Sequence, residues 1–362
     1  MNGKNKIIIA ALSVLLAACT MNPIEPVSPT PQGPEVLRSY IFFEPEVVNS
    51  VVKKSDPLYY EEVLPGDVNT AFGALGYYNG NALFTEYESG IAHVYRPEED
   101  APFEYDNLAA WQHLTNKHQF YGFYPYSLLN TVTENDGDPF ITYSLPEVNN
   151  MLDILIAYVQ TSKQNPVVLS FGHALWALDV EVKITQENNP YNPDGTAALA
   201  PSLTIKKVVL YMNNIPSSGK LYLDGDSDVN FNESEAPICS DKVYTLFEAS
   251  TATPAITIPY TDAEGTSINS VTFDPLLFFP TDVQIDATHS LQYRLELTLE
   301  NSWGEVYSFK NPSSGYKNFG VTTFEAGKRY KLSVNKTDDP EFDVGFSIQG
   351  WGDPVRVDHT FN

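Results

Sequence analysis

The sequence predicts a mainly β protein, built as two antiparallel β-sandwich domains in series. Three observations predict it. Apolar residues alternate with polar ones at a period of two in stretch after stretch, helical spacing is sparse, and 26 prolines with 21 glycines are spread along the chain as turn formers.

The N-terminus reads as a targeting segment. Lys4 and Lys6 precede the apolar run "IIIAALSVLLAA", which is too short to stay as a membrane span, and small residues lead into Cys19. "LAAC" resembles a bacterial lipobox, in which the cysteine becomes the first mature residue and carries lipid. Residues 1–18 are accordingly assigned to a signal peptide. Residues 19–38, with prolines at 23, 26, 29, 31 and 34, are assigned to an extended tether. With Cys19 lipidated, Cys239 has no partner for an intramolecular disulfide.

The body begins with "SYIFFEPEV", residues 39–47, which sets Ile41, Phe43 and Val47 on one side of an extended chain. "LDVEVKI" alternates Leu178, Val180, Val182 and Ile184 against Asp179, Glu181 and Lys183. "LQYRLELTL" alternates Leu291, Tyr293, Leu295, Leu297 and Leu299 against polar neighbours, and "YKLSV" and "FDVGFSI" behave alike. These are strands with one face buried. Leu108, Trp111 and Leu114 in "NLAAWQHL" predict one short helix, whereas "MLDILIAYV" fits helix or strand. The polar, Asn- and Pro-rich residues 185–202 mark a boundary between an N-terminal domain, 39–185, and a C-terminal domain, 200–362.

Acidic residues number 46 against 21 basic, for a formal charge of −25. Such a chain repels nucleic acid and anionic lipid, so nucleic-acid binding is excluded. The search for catalysis is negative. His113 and His118 are five apart, not the four that aligns ligands on a helix, and His173 lies in the apolar "LSFGHALWAL" as a core histidine bonded to backbone. There is no nucleophile elbow and no phosphate-cradling glycine loop, and the chain is read as no enzyme. "DGDSDVNFNESE" places Asp224, Asp226, Asp228 and Glu235 at calcium-loop positions 1, 3, 5 and 12. However, Val229 stands where the sharp turn needs glycine, and a solvated acidic loop is the favoured reading, with no cofactor required.

"FYGFYPYS", "DILIAYV", "PVVLSFGHALWALDVEVKI", "LTIKKVVLYMNNIPSSGKLYL" and "YKLSVNKTDDPEFDVGFSIQGWGD" occur in that order. Together with the lipobox, this set resembles the fimbrillin (Mfa-like) family of Bacteroidales surface lipoproteins across nearly the whole mature chain. The resemblance implies two transthyretin-like sandwiches and a role as an adhesive pilus subunit, delivered to the outer membrane on a lipid anchor. It also implies that a trypsin-like protease cuts behind the first strand, and that other pilin subunits then fill the vacated groove by β-strand addition. Here Lys53 and Lys54 follow the strand where the family commonly has arginine. Arg38 is a second site, but a cut there keeps the strand.

The chain's last residues, "VRVDHTFN", put Val355, Val357, His359 and Phe361 on one side and are the candidate donor strand. The competing reading pairs them within their own sheet. A surface glycan-binding lipoprotein is the alternative function, drawn from the 22 tyrosines, and a non-polymerising tip or anchor subunit is a further variant.

Overall fold

The structure is a computed structural model that describes residues 40–47, 71–97, 101–113, 115–134, 138–147, 150–184, 203–224, 239–258, 260–261, 267–268, 270–285, 289–301, 304–336 and 342–350. It is mainly β. The first half supplies β1 (Phe43–Val47), β2 (Phe72–Tyr78), β3 (Asn81–Ala82), β4 (Ala92–Val94), β5 (His118–Tyr124), β6 (Val132–Thr133), β7 (Phe140–Ser144), β8 (Leu155–Thr161) and β9 (Val167–His173). The second half supplies β10 (Trp176–Ile184), β11 (Leu203–Pro216), β12 (Ser218–Tyr222), β13 (Cys239–Glu248), β14 (Ile256–Ile258), β15 (Tyr260–Thr261), β16 (Ser267–Ile268) and β17 (Ser270–Phe278). After them come β18 (Thr281–Asp282), β19 (Gln292–Glu300), β20 (Val306–Asn311), β21 (Lys317–Asn318), β22 (Thr323–Phe324), β23 (Lys328–Lys336) and β24 (Phe342–Gly350). Among the described residues the one helical element is a 3-10 turn, Tyr126–Thr131.

Alternation is borne out along most of these strands, although Ile348 at the end of β24 is exposed and Asp179 of β10 is buried. Along β19, Tyr293, Leu295, Leu297 and Leu299 are buried while the intervening residues are half-exposed, and Leu332 and Val334 of β23 are buried likewise. β19 joins β13, β11 and β20 in one sheet, and β17, β10, β23 and β24 form another. Apolar faces of both sheets share one core. Trp176 is fully buried there, stacked on Phe324 at 4.1 Å, with its indole N–H donated to the carbonyl of Phe279 at 2.7 Å. That hydrogen bond removes the cost of burying a polar edge.

The first half forms a sheet in the order β1-β9-β8-β5-β2-β3, with β4 also on β2. This sheet curls back on itself. The ring of Phe43, from one end of the order, meets Phe120 of β5 and Phe72 of β2 at 5.8 and 6.4 Å. Close approach requires small residues beneath the rings. A Cβ on Gly122 would lie 2.7 Å from the Phe171 ring and 3.2 Å from Leu169.

Several expectations change. Asn107–His113 forms no helix; Ala110 instead makes an isolated bridge with Tyr40, and the carbonyl of Ala109 accepts from Ile41. The Leu108/Trp111 spacing that mimics a helix comes from a loop pressed onto the core, with Trp111 buried and Leu108 packed at its margin. "MLDILIAYV" resolves as the start of β8. Two pairings are parallel rather than antiparallel, β1 with β9 and β10 with β23. The 185–202 stretch lies outside the described residues, but hydrogen bonding crosses the boundary drawn there. β10 pairs with β17 and β23, and β12 pairs with β7. Sequence order does not reveal such partners, because a buried alternating strand fits either sheet equally well.

Candidate functional site

β1 lies at the sheet edge, and its residues explain why it belongs there. Pro45 has no N–H to offer a second neighbour, which suits an edge strand. Ile41, Phe43 and Pro45 are buried while Glu44 is exposed, so one face points into the core. Phe43 sits in an aromatic cage. Phe72 and Phe120 meet it edge-on at 6.4 and 5.8 Å, and Phe84 and Tyr105 lie tilted at 6.0 and 5.8 Å. Burying Phe43 contributes about 1.5–3 kcal/mol, and each well-formed aromatic pair roughly 0.5–1.5 more.

Side chains also grip the backbone of this segment. The Tyr105 hydroxyl donates to the carbonyl of Ile41 at 2.9 Å and itself accepts from the Ala109 N–H at 3.3 Å. Burial pushes the Tyr105 hydroxyl well above its ordinary pKa, so it stays a proton donor. The Asn165 side-chain N–H donates to the carbonyl of Tyr40 at 2.6 Å, and the Asn165 oxygen accepts from the Trp111 indole at 3.2 Å. Backbone bonds complete the grip, Ile41 N–H to Ala109 O at 2.9 Å and Val167 N–H to Phe42 O at 2.7 Å. Each such bond is worth about 1 kcal/mol net.

β1 and β9 pair in parallel over five residues, from Phe43 opposite Val167 to Val47 opposite Phe171. On its other side β9 pairs with β8 at two positions only, His173 opposite Leu155 and Gly172 opposite Ile156. Most of the paired edge of β9 is therefore satisfied by β1.

Of the residues singled out in the sequence, Ile41 and Phe43 face the core together and Val47 closes the β1 ladder. Cys19, Arg38, Lys53, Lys54, Val355, Val357, His359 and Phe361 lie outside the described residues, as do Asp226, Asp228 and Glu235 of the acidic loop. Asp224 lies two residues past the end of β12. Among the described residues no group of three or more His, Cys, Asp or Glu side chains is placed to hold a metal. The His173 Nδ1 bonds to the Asp153 carboxylate at 2.9 Å, an acidic partner for this histidine that the sequence reading did not name, and both side chains are nearly buried. Sequence reading missed the clamp of Tyr105, Trp111 and Asn165. Its only sequence signal is the density of aromatics around residues 103–124.

The family model described as fimbrillin-like matches residues 67–351. The chain belongs to the fimbrillin-like family. Its members are structural rather than enzymatic proteins, which accords with the negative search for catalysis. Among solved structures, this fimbrillin-like chain is similar to a fimbrial protein from Bacteroides vulgatus, at 15% identity and a TM-score of 0.54, covering 86% of this chain and 99% of that one. It is also similar to a candidate cell adhesion protein from Bacteroides ovatus, at 16% identity and a TM-score of 0.50, covering 86% and 97%. At these identities the likeness shows a common fold. No curated protein sequence matches the chain.

Proposed function

We propose that this fimbrillin-like protein is a structural subunit of an adhesive surface pilus. It is carried to the outer membrane on a lipid at Cys19, cut by a trypsin-like protease at Lys53 or Lys54, and polymerised when the terminal strand of another subunit replaces β1. The observation that carries this reading is β1 itself: a short edge strand whose buried side chains complete the core and which leaves a slot when removed. Such a slot has unpaired backbone groups along β9 and an aromatic cage, both of which an incoming strand can satisfy. Of the four residues on the apolar side of "VRVDHTFN", Phe361 matches the size and chemistry of Phe43.

The glycan-binding alternative draws its support from tyrosine content, and much of that content is core. Tyr105, Tyr121, Tyr244, Tyr293 and Tyr330 are all fully buried. Among the described residues the exposed Tyr307 stacks near Phe309 of β20 at 6.4 Å, and the glycan reading rests on such rings.

The test is incubation of the purified chain with a trypsin-like protease. The product starts near Ser55 and forms ladders that resist mild SDS. Matured protein that stays monomeric while retaining Val355–Asn362 overturns the proposal.

A further inference from the structure

The sheet of β13, β11, β19 and β20 carries on its outer face an arginine that no carboxylate holds. Alternation along β19 turns Leu295 and Leu297 into the core and Arg294 outward. Tyr211 of β11 stands directly opposite Arg294. On the other side of β19, Asn318 faces Gln292 and Lys317 faces Tyr293, so the preceding residue, Tyr316, comes level with Arg294. The guanidinium carbon lies 4.4 Å from the centre of the Tyr211 ring and 5.3 Å from that of Tyr316. Glu296, two residues along, is committed elsewhere: it accepts from the Tyr211 and Ser308 hydroxyls at 2.8 and 3.0 Å and pairs with Lys310 at 3.3 Å. Among the described residues no carboxylate pairs with Arg294, and its Nε has no hydrogen-bond partner. That is unusual company for an arginine in a chain with 46 acidic residues, and Arg329 by contrast spends its fork on Asp179.

Ring contact uses the faces of a guanidinium and leaves its terminal N–H donors, which lie in the plane, to meet a planar anion end-on. The adjoining layer is a row of amides. Asn213 donates to Gln292 at 3.0 Å and Gln292 to Asn318 at 2.8 Å, which leaves the Asn213 oxygen as an acceptor and the Asn318 nitrogen as a donor. Two residues along a strand separate the layers by about 6.6 Å, close to the reach of one sugar ring from its carboxylate to the hydroxyls across it. We propose that this face binds an acidic saccharide of the uronic-acid type. Its carboxylate meets Arg294 and its hydroxyls meet the amide row. Hydroxyls both donate and accept, as that row requires, whereas the carboxylates of an acidic protein surface only accept. The proposal rests on the adhesive part of the function above and gives its target a chemical class; strand exchange is not needed for it. A single such site is weak, and a filament that repeats it gains its hold by avidity.

The experiment titrates the full chain, before any protease treatment, with trigalacturonate, with the neutral galactotriose and with a hexaglutamate peptide, read by calorimetry. Trigalacturonate is expected to bind about tenfold tighter than either comparison probe. Arg294→Lys, which keeps the charge and loses the fork, is expected to weaken it about tenfold, and Arg294→Gln to abolish the preference for acidic over neutral sugar. Tyr307→Ala is the control. Tyr307 pairs with the buried Leu299 and so lies on the other face of the sheet, and its loss leaves every affinity unchanged. Thermal midpoints establish that the variants fold. Should Arg294→Gln unfold, Asn318→Ala at the exposed end of the amide row must weaken trigalacturonate several-fold instead. Absence of binding, equal binding to Arg294→Gln and the unaltered chain, or loss of binding in Tyr307→Ala overturns the proposal. Hexaglutamate bound as tightly as trigalacturonate also overturns it, by making the partner an acidic protein. A chain that binds the sugar but never polymerises removes the pilus reading alone, and one that polymerises without binding removes this site alone.

Discussion

The hydroxyl of Tyr105 donates to the main-chain carbonyl of Ile41 at 2.9 Å, joining residues 64 positions apart. The bond attaches the first strand to a loop of the same half without using a sheet ladder. Tyr105→Phe removes the donor, keeps the ring and leaves a buried carbonyl unpaired. We expect a loss of about 1 kcal/mol in urea unfolding, against about 3–5 kcal/mol for Phe43→Ala, which empties the cage. Equal losses in the two variants would show that the cage is not the main anchor.

Gly122 tests the curled sheet. An added Cβ meets the Phe171 ring at 2.7 Å, so Gly122→Ala forces that buried ring to shift. The expected cost is about 1–3 kcal/mol. Gly172 is the control, because a Cβ there meets nothing within 4 Å. Gly172→Ala is expected to be neutral or slightly stabilising through the unfolded chain. Thermal midpoints of the two variants decide the matter.

Arg329 holds Asp179 in a two-point contact across β23 and β10, Nε to Oδ2 at 2.6 Å and the second nitrogen to Oδ1 at 3.0 Å. Asp179 is only 3% exposed, whereas the Arg329 side chain is 30% exposed. Arg329→Ala strands a buried carboxylate, and with solvent access on the arginine side the expected loss is about 2–3 kcal/mol. Arg329→Lys keeps the charge but not the fork and falls in between. A double-mutant cycle with Asp179→Asn measures the coupling.

His118 makes stability depend on pH. Its ring is fully buried between Tyr78 at 4.6 Å and Trp111 at 4.9 Å; Nδ1 bonds to the Asn116 carbonyl, and Nε2 has no hydrogen-bond partner among the described residues. Burial lowers its pKa, the Asn116 bond opposes this, and His113 adds to the lowering. His93 is lowered as well, again by burial. With the folded pKa depressed, the unfolded chain takes up protons first. Stability is therefore full above the ordinary histidine value of about 6.5 and declines as pH falls below it toward the folded pKa. The thermal midpoint should drop between pH 7.5 and 5.5, and drop less in His118→Leu. An unchanged slope in that variant would exclude His118 as a source.

How much of this was legible follows from the range of each interaction. Alternation in β19, β23 and β10 marks each strand and its buried face, because period two is local. Ile41 and Phe43 stand out for the same reason. The clamp does not, since Asn165 reaches Tyr40 across 125 positions and no local pattern records that. The false helix at Leu108–His113 has the same origin: Trp111 is buried by its partners, not by a helical face, and Leu114 lies outside the described residues. His173 read as a core residue, but Asp153, which occupies its Nδ1, lies 20 positions away.

One consequence follows from where β24 ends. Gly350 pairs with Lys328, and the adjoining Gly327 N–H bonds to the carbonyl of Leu175, two residues beyond the end of β9. The chain thus leaves its last described strand near the C-terminal end of β9. A continuation that folded back into its own vacated slot would run opposite to β9, whereas β1 runs with it. Polarity alone therefore tells self-capture apart from a replacement that keeps the β1 direction. A spin-label pair reporting which end of an incoming strand lies near Val167 would read it out.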